Sequence, residues 1–426
     1  MIDYDCTIIG AGFVGATLAI ALRKCGLSVL VVDGRSPLVE VGEEDARGIA
    51  LSPSSRLIFE DLTLWDGLTE RAARIAKINV SEMGALPSVN LSAREAGLEA
   101  LAYVVPADHL LRTIENKLME DAHASACQLF WRTTLDSYTV SDQCVSMMVV
   151  DHEQKRSKVT TRLLVGADGV NSKVRSLAGI GSKIRAYRQH AIVATVTADG
   201  IEANLAYERF TPSGPVALLP TAGGRHVLIR CCEVAESESL LALSDEEFIE
   251  DACERFSRPI GRLSKLGARR SHPLVLSQAE RPIAERVALV GAAAVTVHPN
   301  GAQGLNLGLR DVAALCNIVG AAASNVAIPN EDTCGENTKG KRLDRLGSTE
   351  QLAAFASNRS KDHRRVVRFT DGMARGFASQ FPGVPFLRRS GMLLTKLLPA
   401  LQRQIIYEGA GQDRFVGFPF KKGYLE

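Results

Sequence analysis

Three glycines near the start of the chain, Gly10, Gly12 and Gly15, have the spacing of a loop that binds a dinucleotide. Gly10 allows a tight turn, Gly12 lets a pyrophosphate approach the backbone, and Gly15 allows a helix to pack closely on a strand. Asp33 follows Gly15 by 18 residues, where a carboxylate can accept hydrogen bonds from ribose hydroxyls. Because an acid at this point disfavours a ribose phosphate, the pattern predicts FAD or NAD rather than NADP.

The residues around these glycines predict the elements that must position them. Short apolar runs at residues 6–9 and 29–32 are typical of buried parallel strands, and a helical period between them ends at Gly26. The N-terminus of that helix offers free N–H groups and a positive dipole end to the phosphates. A glycine-rich turn without a ligand is the alternative, but strand, helix and acid in register favour a dinucleotide site.

Two later segments have a similar build. Residues 163–166 form an apolar run that leads into Asp168 and Gly169, a pattern that by itself predicts only a strand, a turn and a helix. Residues 286–291 form another apolar run, and glycines follow it at positions 301, 304 and 308 before an apolar helical pattern. This second arrangement indicates another helix N-terminus that faces a ligand.

Together the three segments resemble the flavin-dependent aromatic hydroxylases of the p-hydroxybenzoate hydroxylase type. The early glycines match the ADP site of that family, Asp168-Gly169 with Ser172 matches its Asp-Gly fingerprint, and residues 298–306 match its late flavin motif. The resemblance implies FAD as the cofactor, NADH or NADPH as a co-substrate, and O2. It assigns cofactor binding to Gly10, Gly12, Phe13, Val14, Gly15, Asp33, Arg47, Asp168, Gly169, Arg175, Gly291, Gln303, Gly304, Leu305 and Asn306.

For catalysis, the resemblance points to the loop that contains His298, Pro299, Gly301 and Gly304. Backbone N–H groups of this loop are expected to stabilise negative charge that develops on the flavin. Pro299 fixes the loop, and the two glycines allow close approach to the flavin ring. For His298, shaping the loop is favoured over acting as a general base.

Segments at residues 45–52, 189–196, 207–220 and 364–372 narrow the resemblance to the ubiquinone-biosynthesis hydroxylases. The nearest branch hydroxylates a prenylated methoxyphenol, which implies a prenylated phenol as substrate and allows a quinone-biosynthesis complex as partner. The chain departs from the family pattern at Asp108, Ala292, Val295 and Ala302. Two alternatives stay open: a non-catalytic scaffold in such a complex, or a dehydrogenating or halogenating flavin enzyme of the same fold.

These patterns predict an α/β fold with a Rossmann-like FAD-binding domain, an antiparallel β-sheet substrate domain and a helical C-terminal region. The FAD-binding domain is expected to be discontinuous, over residues 1–75, 100–180 and 272–325. The substrate domain is expected to take residues 76–99 and 181–271. Residues 326–350 are predicted to be a flexible insertion, and residues 351–426 form the helical region.

Composition argues against several other classes of function. A net charge of +2 without a dense basic run disfavours nucleic acid as a partner. Nine scattered cysteines without ligand spacing predict reduced thiols and no metal site. Residues 1–5 have no basic signal region, and no apolar block reaches the roughly 20 residues of a membrane span. A cytoplasmic protein is therefore expected.

Residues 386–403 combine large apolar side chains with four cations and no acid. This composition suits peripheral contact with the inner face of a membrane, with apolar side chains inserted and cations at the headgroups. A core-packing helix pair broken at Pro399 is the alternative. The oligomeric state is left open.

Overall fold

The protein is built from three β-sheets and the helices that cover them. The structure is a computed structural model, and it describes residues 2–38, 47–85, 87–123, 127–256, 260–323, 343–379 and 381–411. Its strands are β1 (Tyr4–Ile9), β2 (Val29–Val32), β3 (Gly48–Leu51), β4 (Ala73–Ile75), β5 (Lys77–Glu82), β6 (Val89–Ser92), β7 (Ala102–Pro106), β8 (Cys127–Phe130), β9 (Thr133–Val140), β10 (Val145–Asp151), β11 (Arg156–Gly166), β12 (Ser182–Asp199), β13 (Leu205–Phe210), β14 (Val216–Pro220), β15 (Arg225–Glu233), β16 (Arg262–Ser264), β17 (Arg270–Ala279), β18 (Ile283–Ala284), β19 (Val287–Leu289) and β20 (Val295–Thr296). Its helices are α1 (Phe13–Lys24), α2 (Pro53–Asp61), α3 (Asp66–Thr69), α4 (Ala107–His123), α5 (Lys173–Leu177), α6 (Val234–Ala242), α7 (Asp245–Phe256), α8 (Gln303–Ala323), α9 (Thr349–Ala378), α10 (Val384–Leu397) and α11 (Pro399–Ala410).

The first sheet has the order β18-β19-β11-β1-β2-β8, and β10 and β9 extend it from β11. The strands from β19 to β8 run parallel. Their apolar residues are covered on both faces, so that Cys6 and Ile8 are fully buried. Because Ile9 pairs with both Val32 and Gly166, the carboxyl ends of the central strands meet at one edge. The Rossmann-like unit predicted from the sequence is confirmed.

The second sheet has the order β20-β17-β12-β15-β14-β13-β5-β6, with β16 beside β12. Its pairings are antiparallel except for β13 and β5, which run parallel. Helices α6 and α7 cover one face, where Ile192, Leu218 and Phe248 are buried. The other face packs on a third sheet, β3-β7-β4, through contacts that include Ala206 and Val104. The predicted antiparallel sheet is present, with one parallel pair.

The division into domains stays a proposal, because strand pairing alone does not separate folding units. Strand β17 pairs with β12 as far as Ala279, so we propose that the substrate domain extends to that residue rather than to 271. Of the predicted insertion, residues 326–342 lie outside the described residues, while Leu346 near its end is fully buried. The helical C-terminal region is confirmed as α9 to α11, and residues 412–426 lie outside the described part of the chain.

Charged side chains are buried between α8 and α9. Asp311 of α8 accepts hydrogen bonds from Arg359 Nε at 2.6 Å and from His363 Nε2 at 2.7 Å. Asp362 of α9 accepts hydrogen bonds from Arg310 Nε and from Arg359, both at 2.8 Å. Burial alone would raise the pKa of each carboxyl group. His363 and Arg359 nevertheless hold the pKa of Asp311 below its usual range, and Arg310 and Arg359 do the same for Asp362.

Replacing Asp311 is expected to destabilise the protein strongly. Asp311→Asn should lower the free energy of unfolding at pH 7 by about 3–5 kcal/mol, because the two buried cations Arg310 and Arg359 are then left with one carboxylate, Asp362, between them. Asp245→Asn, at a more exposed ion pair with Arg269, is the matched control and should cost less than about 1 kcal/mol. Urea unfolding of the wild type and both variants measures these values.

The same experiment has a defined pH dependence. Since the folded-state pKa of Asp311 is lowered, its stabilisation is complete above the unfolded-state pKa of about 4 and is lost as the pH falls through the folded-state pKa. The difference between wild type and Asp311→Asn should therefore shrink at pH 3. A difference that is equal at pH 7 and pH 3 would contradict this assignment.

Candidate functional site

The turn between β1 and α1 is packed against the end of β11. A Cβ atom on Gly10, which has φ +103°, would lie 2.5 Å from the carbonyl oxygen of Ala167. A Cβ atom on Gly15 would lie 1.9 Å from the carbonyl oxygen of Gly10. By contrast, a Cβ atom on Gly12 would meet no other atom within 4 Å. Two glycines thus serve backbone packing, while Gly12 borders open space at the N-terminus of α1, where a pyrophosphate fits.

Asp33 lies at the same edge of the sheet, directly after β2. Its Oδ2 accepts a hydrogen bond from the Ala11 backbone N–H at 2.6 Å, and its Oδ1 accepts one from the Arg35 N–H at 2.8 Å. The Arg35 guanidinium donates to the Ala11 carbonyl, pairs with Glu115, and lies 5.2 Å above the Trp131 ring. These contacts orient the carboxylate beside the open space near Gly12. Arg35 and Glu115 are supporting residues that sequence reasoning missed.

Asp168 is occupied by its own helix. Its carboxylate accepts hydrogen bonds from Ser172 Oγ at 2.5 Å and from the N–H groups of Lys173 and Val174 at 2.7 and 3.1 Å. The carboxylate therefore caps the N-terminus of α5. A Cβ atom on Gly169 would meet no atom within 4 Å, so this position borders open space. Cofactor contact by Asp168 and Gly169 stays a prediction.

Arg175 connects the second and third motifs. Its guanidinium donates to the carbonyl of Ala293 at 2.9 Å and to the carbonyl of Val170 at 2.6 Å. Ala293 belongs to the turn at the carboxyl end of β19, which is the start of the late flavin motif. Arg175 is buried and holds the two motifs together, while a direct contact with the cofactor stays a prediction.

The third motif packs on the first through Val14. A Cβ atom on Gly308 would lie 2.7 Å from a methyl group of Val14, and one on Gly291 would lie 3.0 Å from it. Phe13, Val14 and Leu305 pack against the core beneath the first sheet. Their side chains therefore face the hydrophobic core and hold the first and third motifs together. The Gly291 N–H donates to Asp311 at 3.0 Å, which ties the turn to the buried charges of α8 and α9.

Residues 298–304, here called the flavin loop, begin at a buried histidine. His298 Nδ1 accepts a hydrogen bond from the Asn300 N–H at 3.3 Å, and the Tyr187 ring meets the imidazole edge-on at 4.8 Å. Burial lowers the pKa of His298 to about 4, so the ring is neutral at pH 7 and carries its proton on Nε2. Among the described residues Nε2 has no hydrogen-bond partner. His298 can therefore donate to a ligand but is a poor general base.

Further polar atoms of this loop lack partners within the described chain. Both side-chain polar atoms of Asn300 and the Oε1 atom of Gln303 are buried without a hydrogen bond. Each such group costs about 1–3 kcal/mol unless a ligand satisfies it. Asn306 differs, because its side chain accepts from the Ser52 N–H and donates to the Ala50 carbonyl, which fixes the loop to β3. The orphaned atoms of Asn300 lie beside His298 and fit the polar edge of a flavin. The Gln303 amide instead donates to the carbonyl of Gly409 in α11 at 3.4 Å, so its side chain lies on another side of the loop.

The departures from the family pattern have distinct structural consequences. Ala302 keeps a left-handed conformation, with φ 52° next to Gly301 at φ 67°, which costs a residue with a Cβ about 1–2 kcal/mol. Ala292 is exposed in the turn after β19 and brings no carboxylate to the groove. Val295 is buried in β20, and Asp108 lies in the first turn of α4, where an acid suits the helix dipole.

For two of the predicted site residues, Arg47 and Pro299, the structure shows the position but no contact that indicates a role in cofactor binding or catalysis. Arg47 is half-buried before β3, and its carbonyl accepts a hydrogen bond from the Ala107 N–H at 2.9 Å. Pro299 is exposed at the start of the turn that carries Gly301. The structure thus brings the three motifs to one edge of the first sheet. The contacts that each predicted residue makes with a cofactor stay predictions.

Known proteins resemble this chain over nearly its whole length. It is 32% identical to the ubiquinone hydroxylase UbiL of Rhodospirillum rubrum, over 96% of this chain and 89% of that protein. It is 26% identical to the 3-demethoxyubiquinol 3-hydroxylase of Escherichia coli K12, over 96% of this chain and 98% of that protein. These relatives confirm the predicted resemblance to the ubiquinone-biosynthesis hydroxylases.

Solved structures share the fold. The p-nitrophenol 4-monooxygenase PnpA of Pseudomonas putida DLL-E4 superposes with a TM-score of 0.73 at 17% identity, over 96% of this chain and 99% of that chain. The flavin-dependent monooxygenase PieE, solved with FAD and substrate, gives a TM-score of 0.66 at 19% identity, over 96% of this chain and 72% of that chain.

A sequence model of the FAD-binding domain matches residues 3–329, which is more than half of the chain. The open groove beside Gly12, the oriented carboxylate of Asp33 and the orphaned polar atoms of the flavin loop fit that cofactor. The prediction of FAD is confirmed. The chain belongs to the FAD-binding family of flavin-dependent monooxygenases.

Proposed function

We propose that this protein hydroxylates the aromatic ring of a prenylated phenol in quinone biosynthesis, with NADH or NADPH and O2 as co-substrates. One oxygen atom of O2 enters the ring, the other leaves as water, and the nicotinamide is oxidised. When bound, FAD supplies the electron transfer from the nicotinamide and the activation of O2. The relatives named as ubiquinone hydroxylase and 3-demethoxyubiquinol 3-hydroxylase support this class of substrate.

The observation that carries the proposal is a chamber between the second sheet and the flavin loop. Phe210 of β13 and Phe377 of α9 stack there with ring centroids 3.6 Å apart. His298, Asn300 and Ala374 line the same space. The chamber has a free volume of only about 10 Å³, so a phenol ring enters it only when Phe377 moves away from Phe210. Its lining of aromatic walls beside a few polar groups is the type that holds a ring with a hydroxyl group.

The chain's own contribution is to position the ring, exclude water and offer hydrogen bonds. The Nε2–H of His298 and the side-chain amide of Asn300 are buried donors without partners in the described residues, so either can bind the flavin or the substrate. Backbone N–H groups of the flavin loop are available for negative charge that develops beside them. The neutral state of His298 keeps a competing positive charge out of the chamber.

Hydroxylation can be tested with isotopic oxygen. The purified holoprotein, given a 2-prenylphenol, NADH or NADPH and ¹⁸O2, should yield a product with one ¹⁸O atom, detected by mass spectrometry. Ala374→Phe should fill the chamber and lower kcat/KM by at least about tenfold while FAD stays bound. Ala354→Phe, at an exposed position of the same helix, is the matched control. A holoprotein that binds FAD and gives no labelled product would instead favour a non-catalytic scaffold.

We also propose that α10 and α11 contact an anionic membrane, where a prenylated phenol resides. Phe386, Leu387 and Leu397 are 73%, 69% and 63% exposed, and Arg389 and Lys396 are exposed among them. Apolar side chains flanked by cations are typical of an interfacial surface. No helix within the described residues is long and apolar enough to cross a bilayer.

Part of the same segment packs inward, as the core-packing alternative predicted. Met392 and Ile406 are buried against β6 and its neighbours. Arg388 pairs with Glu82 and donates to the carbonyl of Gly376, and its side chain is only 9% exposed. Arg388 is therefore a structural residue, and the expectation that it reaches lipid headgroups is wrong.

Vesicle flotation measures this contact. The wild type should float with vesicles of anionic phospholipid at low salt, and the double variant Phe386→Asp and Leu397→Asp should bind at least about tenfold more weakly. Ile184→Asp places the same change at another apolar residue that is 67% exposed, and it should leave binding unaltered. Equal flotation of all three proteins, or of none, would exclude docking through this surface.

A further inference from the structure

Two stacked aromatic rings close the chamber between the second sheet and the flavin loop. Phe210 at the end of β13 and Phe377 in the last turn of α9 both line it, and their ring planes differ by only 13°. The free volume of about 10 Å³ is no more than the space of one water molecule. A substrate ring therefore needs a state of the chamber in which these two rings are separated.

The two rings differ in how firmly their backbones are held. Phe210 is 1% exposed and pairs with Glu82 of β5 in the second sheet, and its carbonyl oxygen accepts a hydrogen bond from the Met83 N–H at 2.8 Å. Phe377 is half-buried and lies one residue before the end of α9. The last turn of a helix frays more readily than a paired strand. Phe377 is therefore the ring that is expected to move when the chamber opens.

One guanidinium group holds the last turn of α9 against the second sheet. Arg388 of α10 donates from Nη1 to the carbonyl oxygens of Gly376 at 2.8 Å and of Phe377 at 3.2 Å, and it lies 5.3 Å from the centre of the Phe377 ring. Its Nη2 pairs with Glu82, the strand neighbour of Phe210. A cation is favourable at the carboxyl end of a helix, where carbonyl oxygens lack partners within the helix. Arg388 and Glu82, here called the latch, thus connect the two aromatic walls.

The latch is buried, but its hydrogen bonds are incomplete. Both side chains are only 9% exposed, while Glu82 Oε2 and Arg388 Nε have no hydrogen-bond partner in the part of the chain that the structure describes. Arg389 lies 3.9 Å from Oε2, beyond hydrogen-bond distance. The attraction within a buried ion pair is largely offset by the loss of its hydration. The latch can therefore open at a modest cost in free energy.

We propose that the latch keeps the chamber closed, and that a prenylated phenol enters when its ion pair opens and Phe377 moves away from Phe210. Arg388 is then a positioning residue, which acts on substrate entry through Phe377 and does not touch the reacting atoms. The identity of the ligand rests on the proposed function, whereas the latch itself does not. Because only the open fraction of the protein binds substrate, a weaker latch should raise both the association rate and the affinity. Loss of a merely structural contact would not do so.

Thiol labelling measures the opening of the chamber without a substrate. Thr211 lines the chamber and is 3% exposed, so Thr211→Cys places there a thiol that N-ethylmaleimide reaches only when the chamber opens. In this background, the double variant Glu82→Gln and Arg388→Met removes both charges together, which leaves neither as an unpaired buried ion. Peptide mass spectrometry of the holoprotein should show labelling at position 211 at least about tenfold faster than with the latch intact. Arg403→Met, at an exposed cation of α11, is the matched control and should leave the rate unaltered.

A native cysteine and a second variant separate opening of the chamber from unfolding. Cys316 is fully buried in α8, and its labelling would report general unfolding, so it should stay unlabelled. Phe377→Ala removes the ring and keeps the latch, and it should also speed labelling at position 211. The proposal is overturned if either variant labels position 211 at the rate of the intact latch, or if the acceleration extends to Cys316.

Binding of 2-farnesylphenol connects the latch to the proposed function. Stopped-flow measurement of the flavin absorbance, on the holoprotein without nicotinamide, should give an association rate constant and an affinity about tenfold higher in the latch double variant than in the wild type. If labelling responds as expected but neither protein binds or hydroxylates the phenol, the proposed function is overturned and the latch stands. If the wild type hydroxylates the phenol and the double variant keeps the wild-type association rate, the latch is overturned and the proposed function stands.

Discussion

Close backbone packing at three turns is the constraint on which the rest of the structure depends. The turn after β1 can touch the end of β11 because Gly10 and Gly15 have no side chain, and the start of α8 can touch Val14 because Gly308 has none. These contacts bring segments that are about 150 and 300 residues apart in sequence to one edge of the parallel sheet. The groove beside Gly12, the carboxylate of Asp33 and the flavin loop follow from that convergence.

The buried charges of α8 and α9 extend this constraint to the substrate side. Asp311 holds the turn at Gly291 with one oxygen and Arg359 and His363 with the other. Helix α9 then continues to Phe377, which stacks on the second sheet at the chamber. The turn at Gly291 and one wall of the chamber are thus held by the same buried ion pairs. This support is rigid, because separating the ion pairs would leave their charges buried and unpaired.

The sequence was sufficient for features that depend on local pattern. The apolar runs at residues 6–9 and 29–32, the glycine spacing and Asp33 predicted the βαβ unit and the cofactor class, because each signal lies within about 30 residues. Contacts between distant residues were missed. The pairing of Asp311 with Arg359, the pairing of Arg388 with Glu82 and the capping role of Asp168 carry no local signal that separates them from surface charges.

The same limit applies to Phe210, which lines the chamber. Alternation along β13 places Glu208 and Phe210 on one face, but only the packing of the third sheet and the flavin loop decides that this face borders the chamber. The left-handed conformation at Ala302 is also not predicted by the local sequence, because alanine, unlike glycine, is not typical of a left-handed turn. Phe210 and Ala302 both lie beside the site, and at Ala302 local propensity and tertiary structure disagree.

A comparison of Gly12→Ala with Gly15→Ala tests the central claim that the glycines divide between cofactor approach and backbone packing. Gly12 has φ −70° and ψ −173°, which alanine adopts without strain, so the apoprotein of Gly12→Ala should unfold at the wild-type temperature. Its affinity for FAD, measured by fluorescence titration, should fall at least about tenfold, because the methyl group occupies the path of the pyrophosphate. Gly15→Ala should destabilise the apoprotein itself. Wild-type affinity for FAD in Gly12→Ala, or an unchanged unfolding temperature in Gly15→Ala, would contradict the account.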